Sequence, residues 1–415
     1  MKSLGLYSVK FLMFFFVITS IGVYAQDNAL AKIKKGGKCG FINRRGEIVI
    51  KPIYDDAGDF SDGLASVKQG ALWGAIDKSN TMVIKSQFSD GFTFKKGLAI
   101  VTKEGRTGVD VINTTGKGLF HTESYFVAFN GFADGVEAVT DPKTQRVTLM
   151  TKLGKPLANG PSFDEMKPYS DGLAVFKKEN KYGYVDKSGK IVIQNTYNDA
   201  SSFQNGLAVV KIGPRLAIIN KAGKQIVPPN YPNIFEFSEN KLRVAKKTKE
   251  GVLKVGFLNR AGMVLIPLEY EEAGDFNEGK AFIQKDGKYG YIDSTNKMII
   301  PCNYESAGDF NEGMAFVTIG GKVGYIDASG KTIINPQFDQ GQEFNEGFAV
   351  VTNNGMQGVI DKSGKLVINT QYSEITPLGG GIFKVTADGA SFGLIDGTGK
   401  VLLPTQFDEI DLFSK

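Results

Sequence analysis

The sequence predicts an all-β fold of about eleven tandem ~34-residue repeats, each of three short strands, forming an open superhelical, solenoid-like array. Three observations predict it. A glycine ahead of an "ID"-like pair recurs at a nearly constant interval. Three runs rich in Val, Ile, Phe and Tyr fall inside each interval, and Gly or Asn punctuates them at a fixed place.

The recurring glycine stands at Gly40, Gly74, Gly108, Gly183, Gly256, Gly290, Gly324, Gly358 and Gly393, with worn copies near Thr148 and at Ala217. Successive steps are 34, 34, 40, 35, 34, 39, 34, 34, 34 and 35 residues. The copies run from about Ala29 to Phe413, so residues 26–415 read as one array with no room for a second domain.

Within a copy the first strand is "GLAVV" or "GMAFV", the second "YGYID", the third "KMIIP" or "KIVIQ". The second and third are joined by turns such as "DKSGK" (186–190), in which Asp or Asn caps its own backbone and the fourth residue is left-handed. That fourth position is Gly46, Asn80, Gly116, Gly154, Gly189, Gly223, Gly262, Asn296, Gly330, Gly364 and Gly399, the two residue types that best tolerate positive φ. A tight hairpin with a glycine bulge satisfies the pattern.

Apolar columns mark the expected core. The second strand contributes Ile42, Ile76, Val185, Ile219, Leu258, Ile292, Ile326, Ile360 and Ile395; the third contributes Val49, Val83, Val192, Ile226, Leu265, Ile299, Ile333, Val367 and Leu402. Gly290 shares a face with Ile292, so a neighbour is expected to need its space. Two aromatic columns, Tyr197 through Tyr372 and Phe203 through Phe344, are expected to plug the gaps between repeats. The first-strand alanines (Ala65, Ala99, Ala174, Ala208, Ala281, Ala315, Ala349) then allow close stacking.

Residues 1–25 read differently. Lys2 and Lys10, the apolar run Phe11 to Val23 and the small-x-small site Val23-Tyr24-Ala25 form a signal-peptide pattern, with no cysteine following for a lipid anchor. Export to the periplasm or the outside is expected, with no stable membrane insertion after cleavage. Removing this segment leaves 47 basic and 44 acidic residues, a net charge of +3 that gives no electrostatic case for nucleic acid. Cys39 and Cys302 occupy different repeat positions and imply no repeating bridge. With His121 the one histidine, neither a His/Cys metal site nor a histidine-based triad is expected, and no cofactor is called for.

"WGAIDKSN" (73–80), "YGYVDKSGKIVI" (182–193) and "YGYIDSTNKMIIPCNYESAGDFNEGMAFV" (289–317) resemble the WG-repeat, or KWG-repeat, family of bacterial β-repeat proteins. The resemblance spans the whole chain after the leader. It departs at the name-giving tryptophan, which only Trp73 keeps; other copies carry Cys39, Tyr182, Leu216, Val255, Tyr289, Val323, Gln357 and Phe392. The resemblance implies a tandem β-repeat fold and no catalytic mechanism.

A closed β-propeller is the alternative architecture. Propeller blades usually carry four strands and ~40 residues or more in rings of ~4–8. Three strands, shorter repeats and eleven whole copies favour the open array.

The acids of "AGDFNEGMAFV", Asp309 and Glu312, invite an acid–base reading. Equivalent slots hold Ser202/Asn205 and Glu236/Glu239, so turn formation is expected instead. The aspartates Asp77, Asp186, Asp293, Asp327, Asp361 and Asp396 are one acid per loop, too few for calcium, and read as turn caps. Inserts at "TDPKTQR" (140–146) and "KKTKEGVLK" (246–254) point to where specificity lies. The expected function is a non-enzymatic repeat surface that binds a protein or a cell-envelope polymer. The alternative is a glycan-binding or glycan-active protein using Tyr125, Phe126, Phe129 and Phe132, the one crowd of irregular aromatics.

Overall fold

A computed structural model describes residues 28–132, 134–158 and 160–414; the expected signal peptide lies outside the described residues. The regular structure among them is β, in eleven antiparallel sheets that follow the repeats. Blade two sets the pattern, with Asp56–Ala57, Leu64–Gln69, Leu72–Asp77 and Met82–Phe88 paired in that order. The last three are the expected strands. The two-residue leading strand is additional and makes the blade four-stranded. Blades three and four stay three-stranded, one without its leading strand and one without its last.

The leading strand changes the architecture. Blade one (Leu30–Lys35, Lys38–Asn43, Ile48–Tyr54) takes its leading strand from the other end of the chain, Glu409–Ile410. Ile33 pairs with Ile410 and Lys34 with Glu409. Backbone bonds from Asp408 N to Lys34 O (2.8 Å), Asp411 N to Lys32 O (2.9 Å) and Ser414 N to Leu30 O (2.9 Å) repeat the bonds Asp55, Gly58 and Ser61 make inside blade two. The array is therefore an eleven-bladed ring, a β-propeller, and the expected open superhelix is corrected to the closed alternative. The physical reason is that the edge of Leu30–Lys35, where a leading strand pairs in the other blades, is taken by Glu409–Ile410 through backbone pairing.

Turns and bulges set the register. All eleven residues of the fourth turn position have positive φ, from 68° at Asn80 to 85° at Gly399. Asp77 Oδ1 accepts bonds from Ser79 N (2.9 Å), Ser79 Oγ (2.6 Å) and Thr81 N (2.9 Å), and its counterparts in other blades do the same. Those bonds, led by the serine or threonine hydroxyl, hold Asp77, Asp186, Asp293, Asp327 and Asp361 below the usual carboxylate range. Past the turn, Ile42 pairs with Ile48 but Phe41 with Ile50, so Val49 is an extra residue in a bulge. This corrects the third-strand column: Val49, Val83, Val192, Leu265 and Ile333 are exposed, while Ile50, Ile84, Ile193, Ile266 and Ile334, one residue on, are buried.

The core lies between blades, not within them. Phe41, Ile50 and Tyr54 of blade one pack with Ala57, Phe60, Ala65 and Val67 of blade two. A second-strand aromatic meets the next blade's phenylalanine at ring-centroid distances of 4.6–5.0 Å in Phe41–Phe60, Tyr184–Phe203, Phe257–Phe276, Tyr291–Phe310 and Tyr325–Phe344. The closing seam is built alike: Leu378, Leu394, Leu403 and Phe407 of blade eleven pack with Ile410, Phe413, Ala31, Ile33 and Ile42 of blade one. Exposed third strands carry Pro52, Pro267, Pro301, Pro336 or Pro404, which blunts them against edge pairing.

Candidate functional site

The tight turns before each first strand form a belt on one face of the ring. Glu312 (φ 54°) and Gly313 (φ 82°) are both left-handed, as a two-residue hairpin turn of this hand demands. The Glu312 carboxylate accepts a bond from Gly347 N of the next blade (2.9 Å). The same clip joins Asp62 to Gly97 (2.8 Å), Asp171 to Gly206 (2.6 Å), Glu278 to Gly313 (3.0 Å) and Glu346 to Gly381 (3.2 Å). Glu312 is thus a turn former that also ties neighbouring blades.

Asp309 is a different case. It is wedged against the preceding blade, with Oδ1 only 2.5 Å from where a Gly274 Cβ would stand and without a hydrogen-bond partner. Burial first, then the charges of Glu343 and Asp275, push its carboxyl up to about 6. Arg243 is held by Asp275 (3.1 Å) rather than by Asp309. Among the described residues no group of His, Cys, Asp and Glu is placed to hold a metal ion.

The belt opens at one junction into a cleft of about 590 Å3, between blades six and seven. Its cause is legible residue by residue. Where blade eight has Ala273-Gly274 and Ala281, blade seven has Ile234-Phe235 and Leu242. Leu242 is buried in the core between the two blades and Ile234 packs against it, but Phe235 stays outside that packing. The leading strand lengthens to Asn233–Ser238, with a bulge between Ile234 and Phe237 that turns Phe235 outward. Leu207, Val209, Ile218, Leu242, Phe235 and Phe237 form the apolar floor.

The rim is polar. Arg260 donates to Asn205 O (2.7 Å) and Asn240 Oδ1 (3.1 Å), and its guanidinium lies 5.6 Å from the Phe237 ring centre. Lys167 donates to Ala200 O (2.8 Å). Glu239 accepts from Gly279 N (3.1 Å), and Arg243 stacks on one face of Phe235 at 4.1 Å. A smaller cleft of about 170 Å3 lies between blades ten and eleven, where the leading strand is again lengthened, to Glu374–Gly379.

The residues singled out in the sequence lie elsewhere. Phe126, Phe129 and Phe132 pack on one another at 5.1–6.0 Å, with Phe132 buried, Phe126 and Phe129 half-buried and Tyr125 exposed. Gly40, Gly74, Gly183, Gly290, Gly324 and Gly358 sit under the bulged third strand of their own blade; at Gly290 a Cβ would lie 2.5 Å from Ile300 O. The insert 246–254 follows Lys241–Lys247, at the opposite end of that strand from the cleft. In blade three the pairing Val101 with Asp110 puts Asp110, not Gly108, in the glycine slot. Its carboxylate is held by His121 Nδ1 (2.9 Å), Arg106 (3.2 Å) and Lys103 (3.3 Å). Burial pushes this carboxyl up, but those partners outweigh it and hold it low. Cys39 and Cys302 are both free thiols. Among the described residues no helix is long and apolar enough to cross a membrane.

The family described as WG containing repeat matches ten segments: 40–73, 73–106, 160–182, 182–213, 218–249, 256–289, 289–322, 324–356, 358–389 and 392–415. The stretch it skips holds most of the two three-stranded blades. No curated protein matches the chain. A crystal structure of the eukaryotic initiation factor is similar at 10% identity over 93% of this chain and 97% of that one, with a TM-score of 0.39. The extracellular domain of a hybrid two component system from B. thetaiotaomicron is similar at 13% identity over 90% and 64%, with a TM-score of 0.23. Apo AztD from Citrobacter koseri is similar at 11% identity over 65% and 92%, with a TM-score of 0.31. Likenesses this distant carry no functional argument.

Proposed function

The chain belongs to the WG containing repeat family, and from that premise we propose that it is an exported, non-enzymatic ring that binds a protein or a cell-envelope polymer. Support for export comes from the basic start, apolar run and small-x-small site of residues 1–25. The observation that carries the binding role is the cleft between blades six and seven. It lies in the size range of ligand sites, about 300–1,000 Å3, and combines an apolar floor with a few polar rim groups.

The test is retention of the exported chain on envelope fractions at high protein and low salt. The native chain is retained, and Phe235→Ala combined with Arg260→Gln lowers retention at least tenfold. No retention, or retention indifferent to both substitutions, contradicts the reading. Assays for polysaccharide turnover are expected to show none.

A further inference from the structure

Resting on that reading, we propose that the cleft between blades six and seven takes a short acidic oligosaccharide, with sugar rings against Phe235 and Phe237 and a carboxylate held by Arg260 and Lys167.

The shape of the site argues first against a peptide. A peptide strand would add to the free edge of Asn233–Ser238, the outermost strand of its sheet. That edge is broken: Ile234 pairs with Val244, but the next pairing is Phe237 with Leu242, so Phe235 and its neighbour bulge out of the ladder. A bulged edge offers no regular row of amides and carbonyls to a guest strand. The bulge instead presents an aromatic ring to the cleft, and Phe235 is 37% exposed although it is among the largest apolar side chains.

The floor and rim then suit a sugar. One face of Phe235 is taken by Arg243, which fixes the ring without hydrogen bonds to it. A pyranose offers a C–H face that packs on aromatic carbon while its hydroxyls radiate sideways. Gln204, Asn205, Asn240 and Ser202 line the cleft and supply donors and acceptors for those hydroxyls.

The charges select an acid. Arg260 and Lys167 end on carbonyl and amide oxygens, not on carboxylates. The Glu239 carboxylate is occupied by Gly279 N and by Lys241 at 3.7 Å. Both cations keep unspent N–H donors, and a guanidinium recognises a carboxylate through two parallel bonds.

Calorimetric titration of the exported chain with trigalacturonate and with its methyl ester tests the proposal. The acid binds; the ester binds about tenfold more weakly, as loss of a charge-assisted bond predicts. Arg260→Gln weakens the acid by a similar factor and leaves the ester unchanged, while Phe235→Ala weakens both. Arg260 also ties blades six and seven through Asn205 O, so an unchanged ester affinity in its variant is the control that the cleft remains folded. The envelope-retention assay separates the two readings. If retention depends on the cleft but trigalacturonate neither binds nor competes, the acidic-sugar proposal falls and the binding role stands. If retention ignores the cleft, both fall. Equal affinity for acid and ester overturns the charge argument alone and with it the proposal as stated.

Discussion

A single methyl group separates Gly290 from alanine, and the fold has no room for it. Its Cβ would stand 2.5 Å from Ile300 O and 2.7 Å from Cys302 N, both backbone atoms of the bulged strand beside it. Gly290→Ala is expected to cost about 1–3 kcal/mol, the usual penalty for overpacking, read as a lower urea midpoint. Gly313, which is left-handed but has open space around it, is expected to cost nearer 1 kcal/mol on substitution by alanine. Asp309 makes a pH-dependent prediction at the same scale. Its carboxyl is raised to about 6 from 3.8, so the fold disfavours its ionised form. That group favours folding while protonated, and its contribution is lost as pH rises through about 6. Asp309→Asn should therefore gain more in melting temperature over the native chain at pH 7.5 than at pH 4.5. A constant difference across that range would contradict the argument. The turn glycines were legible because only Gly and Asn occupy a left-handed slot. The third-strand column was misread by one residue because a bulge breaks strict alternation, and no side-chain pattern announces a bulge.

Between elements, the decisive unit is the junction of two blades. Phe310 is 2% exposed and meets Tyr291 of the preceding blade at 4.8 Å. Phe310→Ala should destabilise the ring by about 3–5 kcal/mol, measured by chemical denaturation. Phe126→Ala, in a half-buried cluster of the irregular fourth blade, should cost less. The aromatic columns and the stacking alanines were legible as gap fillers because they recur at the repeat period. The leading strand was not, since two residues such as Asp56–Ala57 show no alternation. Nor was the cleft read from the sequence, although its signal is there: Phe235 stands in a glycine slot and Leu242 in an alanine slot. The loop inserts drew attention instead, and they lie away from it.

At the scale of the whole molecule, closure rests on one strand, Glu409–Ile410, paired with blade one. "FDEI" at 407–410 repeats "YDDA" at 54–57, which supplies the leading strand of blade two, and this echo is the trace of the ring in the sequence. The repeat period alone does not disclose it, because the partner of Glu409–Ile410 lies at the opposite terminus. Arg44 reinforces the seam by donating to Gly379 O (2.9 Å), as Lys362 does to Glu312 O between blades nine and ten. Closed, the ring has no terminal blade with an apolar face in water. Removing residues 405–415 would expose that seam, and the shortened chain should melt lower and self-associate, followed by light scattering.

The most direct test of closure is a distance across the seam. In a chain with Cys39→Ala and Cys302→Ala, spin labels at Lys35→Cys and Ala387→Cys sit on an exposed strand end of blade one and an exposed bend of blade eleven. Packed sheets lie about 10 Å apart, so the ring predicts a single label separation within roughly 30 Å by pulsed electron resonance. An open array of the same blades would hold them on the order of 100 Å apart, and a separation of that kind would contradict the ring.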